Sequence, residues 1–129
     1  MRKDIDFAPV KDVHVVIAKD DEGWKVFLIN RNENKLENTM VTSKGYGETK
    51  TEKQKTSTLR HMIPFIDSGE YALIEPIDES VFHLNNEYWV SYFIDGRVYD
   101  KKFIFVPDSI VEENLTFIEE LEMNGILHD

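Results

Sequence analysis

The sequence predicts an all-β protein: a seven-stranded β-sandwich of immunoglobulin or fibronectin-III type, ending in a short C-terminal helix or extended tail. Three observations carry this. Short runs rich in β-branched and aromatic residues place successive side chains on opposite faces, the period of a strand. Turn chemistry recurs between the runs at intervals of roughly ten to fifteen residues. No long amphipathic helix alternates with the strands, which argues against a parallel α/β sheet. A small closed barrel is the competing all-β arrangement.

Residues 1–11 are a polar lead-in containing Pro9. The first strand is DVHVVIAK, residues 12–19, with Val13, Val15 and Ile17 opposing His14, Val16 and Ala18. Asp20 to Gly23 make an acidic turn. It lacks the spaced oxygen ligands and closing glutamate of an EF-hand loop, so it reads as a hairpin tip. The second strand is WKVFLINRN, residues 24–32, followed by a polar turn at 32–35. Residues 36–46 hold a shorter strand centred on Met40, Val41 and Thr42. Gly45-Tyr46-Gly47 lacks the third glycine, the following helix and the Gly-Lys-Ser/Thr ending of a phosphate loop. The run GETKTEKQKT, residues 47–56, has almost no apolar content and predicts a mobile loop.

STLRHMI, residues 57–63, is a strand closed or edged by Pro64. Asp67-Ser68-Gly69 is a turn, and EYALIEP, residues 70–76, is the next strand. The two last strands flank Asp95-Gly96. This pair tolerates the positive φ values of a type I′ hairpin turn. Alternation puts Tyr88, Val90, Tyr92 and Ile94 on one face of the hairpin and Trp89, Ser91 and Phe93 on the other. In the return strand Tyr99, Lys101, Phe103 and Phe105 oppose Val98, Asp100, Lys102 and Ile104. Both faces carry large apolar groups, so the second face needs a cover: a loop, the tail or another chain. The domain therefore runs over residues 12–107, with residues 108–129 packing on it. Ser109 and Glu112 form a capping-box pattern for a helix start, with Asp108 an equal N-cap. Residues 116–129 fit a helix lined by Phe117, Ile118, Leu121 and Met123, or an extended tail with a turn at Asn124-Gly125.

With 129 residues the chain has enough length for one domain and a core without staples. Its net charge of −10, with Lys and Arg never clustered beyond pairs, opposes a nucleic-acid interface. No cysteine is present, which excludes disulfides and thiolate chemistry and suits a reducing compartment. No signal peptide or apolar run of ~18 residues is found, so a cytoplasmic protein without membrane contact is expected.

No catalytic, cofactor-binding or metal-binding motif emerges. His14, His61, His83 and His128 have no ligand partners at metal-motif spacing, although His14 and His61 could meet across a sheet. Ser57 and Ser91 have no nucleophile-elbow context. The acid pairs (Asp20/Asp21, Glu112/Glu113, Glu119/Glu120) fall in turns or the tail, where exposed carboxylates are the rule. Two functional surfaces follow. The doubled apolar faces of the last hairpin suggest a protein interface built from Trp89, Phe93, Tyr99, Phe103 and Phe105, serving a homodimer or a protein partner. Tyr46, Arg60 and His61 form an alternative small-ligand or carbohydrate site.

Three stretches, WKVFLINRNENKLENTMVTSKGYG, KTSTLRHMI and EYWVSYFIDGRVYDKKFIFVPDSI, resemble an uncharacterised family of short proteins from Bacteroidetes-type bacteria. Some members of that family carry the name phenylalanyl-tRNA synthetase subunit. The chain has no glycine-rich arginine motif and is far shorter than a class II synthetase core, so aminoacylation is not expected. The resemblance transfers no functional residue. The expectation is a non-enzymatic binding protein.

Overall fold

A computed structural model describes residues 9–129. The lead-in predicted for residues 1–11 lies largely outside the described residues. Among the described residues ten strands form two antiparallel sheets, which is the all-β, two-layer architecture expected.

The first sheet has the order β6-β2-β1-β10-β9. Its strands are β1 Val13–Asp20, β2 Gly23–Asn30, β6 Tyr71–Ile77, β9 Thr116–Ile118 and β10 Met123–His128. The second sheet is built on β3 Leu36–Glu48, whose one edge pairs with β7 Asn85–Ile94 and whose other edge pairs with β5 Leu59–Ile66 and β4 Lys53–Lys55. The far edge is β8 Arg97–Phe105, joined to β7 through Asp95 and Gly96 at φ 50° and 77°. Both values are positive, as a type I′ turn requires.

The two sheets face each other across Val13, Val15, Ile17, Val26 and Leu28 on one side and Leu36, Val41, Tyr88, Val90, Tyr92, Phe103 and Phe105 on the other. These are the alternating inward positions of their strands.

The strand count of seven is too low. The seven expected strands are present, and three more accompany them. One is β4, inside the run expected to be a mobile loop; there polar side chains leave the backbone free to pair with the end of β3. The other two come from the tail. A C-terminal helix does not form: Glu112–Asn114 is only a 3-10 turn without a side-chain cap. Asp108 sits at φ 63°, outside the range a helix start needs, and Ser109 Oγ donates back to the Val106 carbonyl. The extended alternative holds, but the tail does more than pack on the domain. Strand β10 pairs with β1, so the tail is the middle of a sheet's connectivity. Its turn lies at residues 119–122, with Glu122 at φ 53°, and not at Asn124-Gly125. Gly125 is inside β10.

The tail also gives the first sheet a second apolar layer. Val16, Ala18, Phe27 and Ile29 point away from the main core yet are buried against Ile118 and Leu121. His128 seals one side of the sandwich, its ring meeting Phe103 and Phe105 edge-on, each at 5.4 Å between centroids.

Candidate functional site

The alternation of β7 settles which face of the hairpin is core. Tyr88, Val90, Tyr92 and Ile94 point inward. Across the register, Phe103 and Phe105 also point inward and are buried, and Tyr99 stacks on Tyr92 at 5.3 Å. Three of the five residues expected at an interface are therefore core or core-edge residues. The correction has a simple cause: in the return strand the aromatic face is the one that pairs with the core face of β7.

Trp89 and Phe93 lie on the outer face, 44% and 37% exposed. The register gathers other large side chains beside them. Met40 is opposite Met62 on one side and Ser91 on the other. Glu37 lies between Phe65 and Phe93, and Thr42 between Arg60 and Trp89. Met62 and Phe65 are 63% and 56% exposed. Trp89 is anchored at its rim, with its indole N–H donating to Asp100 and the Lys102 ammonium 5.1 Å from the ring centroid. The two sheets thus differ. The outer face of the first is covered by Ile118 and Leu121 of the chain's own tail, and no described residue covers the Met40–Met62–Phe65–Trp89–Phe93 face of the second.

The three residues of the expected ligand site do not converge. Arg60 and His61 are neighbours in β5 and so take opposite faces. Arg60 sits on the outer face beside Thr42, and His61 turns toward the gap between the sheets. Tyr46 donates its hydroxyl to Glu87 at 3.2 Å. Desolvation first, then this carboxylate, hold the Tyr46 phenol above its usual value. His14 and His61 do not meet either, because they belong to different sheets. Among the described residues no group of three or more acidic or histidine side chains is placed to hold a metal ion.

One constellation escaped the sequence reading. Glu75 Oε1 accepts from Ser43 Oγ at 2.8 Å and lies 2.6 Å from His61 Nε2. The three come from β6, β3 and β5, and no spacing in the sequence links them. The carboxylate sits between the serine and the imidazole, so the imidazole does not touch the hydroxyl. That order orients a carboxylate and does not activate a serine nucleophile, which needs a base in contact with its Oγ. Tyr88 lies behind it, its phenol raised far above the usual range by burial and then by the Glu75 charge.

Comparison with protein-family models, with curated proteins and with solved structures finds no match.

Proposed function

We propose that this β-sandwich is a non-enzymatic protein-binding module that self-associates through the outer face of the β5-β3-β7-β8 sheet. The observation that carries the reading is the asymmetry between the two outer faces. One is roofed by the chain's own tail, and the other exposes Trp89, Phe93, Met40, Met62 and Phe65 together. Contiguous large apolar groups of this kind mark contact surfaces, and aromatic side chains dominate the energy of such contacts.

The arrangement of the face suits a second copy of the chain. A two-fold axis along the Met40–Ser91 rung would set the Trp89 row of one copy against the Phe93 row of the other. Trp89 would then meet Phe93, Arg60 would lie over Phe65, and Met40 would meet its own equivalent. Asp100, opposite Ser91 on that same rung, would meet its own equivalent at the edge of the face, where each carboxylate also accepts from the Trp89 indole N–H of its own copy. An immunoglobulin or fibronectin-III type of sandwich, a cytoplasmic setting and kinship with the short Bacteroidetes-type family fit this reading. The absence of cysteine supports the compartment.

Sedimentation velocity over a wide concentration range tests it. A dimer that Trp89→Glu or Phe93→Glu converts to a folded monomer is expected. A wild-type protein that stays monomeric at the highest concentration would sink the self-association reading.

A further inference from the structure

The sandwich parts along one edge, where β5 ends one sheet and β6 ends the other. A cleft of about 440 Å³ opens there, lined among others by Ser43, Ser57, Leu59, Glu75, Ile77 and Tyr88. That volume is within the range of about 300–1,000 Å³ typical of small-molecule sites.

Glu75 reaches this cleft because β6 is bulged. Val26 pairs with Glu75 but Phe27 pairs with Leu73, which leaves Ile74 as an extra residue. In a regular strand Glu75 would share the outward face of Leu73. The extra residue turns it inward instead, next to the core residue Ile74. Bulges recur beside functional sites, where they re-aim a side chain.

The inward carboxylate is only partly satisfied. Its side chain keeps 14% exposure. Oε1 takes both protein contacts, Ser43 Oγ and His61 Nε2. Among the described residues Oε2 receives no hydrogen bond from the protein. That oxygen is left to solvent at the cleft, where a charged donor can replace water with a stronger hydrogen bond.

We propose that this cleft binds a small aliphatic ammonium ligand, with its charged head on Glu75 Oε2 and its methylene stem along Leu59 and Ile77. The lining argues against other ligand classes. An anion would meet Glu75 and Asp78, while Lys44 is turned to Glu87, 3.7 Å away. A sugar would lack a stacking platform, because Tyr88, the cleft's aromatic, is only 2% exposed. This inference stands apart from the outer face and does not depend on self-association.

An amide-resolved NMR titration with n-butylamine at constant ionic strength tests it, with n-butanol and glucose as matched controls. Saturable shifts confined to the surroundings of Ser43, Ser57, Glu75 and Tyr88 are expected, and none with the controls. Glu75→Gln should weaken binding by about tenfold or more, the loss of one charged hydrogen bond. Ser57→Lys, at an exposed position on the rim, should block the cleft with a tethered ammonium and abolish the shifts in a folded protein. If Glu75→Gln does not fold, Ser57→Lys decides alone. An amine that gives no saturable shift overturns the assignment. So do shifts scattered over the acidic surface, shifts that survive Ser57→Lys, or equal shifts with butanol or glucose.

Discussion

Gly125 is the residue on which the tail's place in the fold depends most directly. It lies in β10, opposite Ala18 on one side and Thr116 on the other. Its φ is not positive, so alanine meets no backbone penalty there. The obstacle is space. A Cβ at this position would stand 2.7 Å from Val16 Cγ1 and 3.2 Å from both Ala18 Cβ and Ile118 Cγ1. Carbon atoms in contact prefer about 3.5–4.0 Å, so the Val16 approach is about 1 Å too close. Val16 and Ala18 are fully buried strand residues with little freedom to retreat. Overpacking of this sort costs about 1–3 kcal/mol, and the severe contact places Gly125→Ala near the upper end. For a chain of this length that lowers the melting temperature by roughly 3–5 °C per kcal/mol. Equilibrium urea unfolding measures the loss, and an unchanged m-value assigns it to the native state. Val16→Ala alone should cost about 2–3 kcal/mol by leaving a cavity. In the double variant the new methyl occupies part of that cavity, so the combined loss should fall short of the sum by about 1–2 kcal/mol. A neutral Gly125→Ala, or strict additivity with Val16→Ala, would refute the close packing of β10 on β1.

Three further outcomes follow from buried or strained groups. Thr39 is fully buried and its hydroxyl has no hydrogen-bond partner among the described residues, so Thr39→Val should be neutral or stabilise by up to about 1 kcal/mol in urea unfolding. Gly96→Ala should cost about 1 kcal/mol, because φ 77° at the hairpin turn disfavours any side chain; proton exchange of the Val98 and Phe93 amides should rise with it. His14 is held below its ordinary value of 6.5, first by burial and then by Arg31, against an opposing pull from Asp129. The unfolded chain therefore takes up the proton first as pH falls through 6.5, and stability drops from there toward the lower folded-state value. His14→Gln should flatten the unfolding free energy as pH falls below about 6.5, and a wild-type slope retained in the variant would assign the pH dependence elsewhere.

Several strands were legible in the sequence because short runs of β-branched and aromatic residues stand between turn residues. Val13-Val15-Ile17 and Tyr88-Val90-Tyr92 are of this kind, and Asp95-Gly96 dictated its turn through local backbone preference alone. Tertiary structure decided the rest. Residues 116–129 carry a pattern compatible with a helix, and it is the free edge of β1, taken by residues 125–128, with β9 pairing on β10 beyond it, that makes the tail extended. Phe103 and Phe105 could have faced outward until the β7 register turned them into the core and left Trp89 and Phe93 outside. Glu75 shows the limit most sharply. By alternation it belongs with Leu73 on the surface, and a single extra residue, Ile74, reverses it. A bulge is set by how two strands meet, so nothing within EYALIEP alone reveals that its acid joins Ser43 and His61 from two other strands. Side-chain periodicity is local physics and stays readable in one dimension. Pairing, register and convergence depend on which edge is free to receive a strand, and that exists only once the chain has folded.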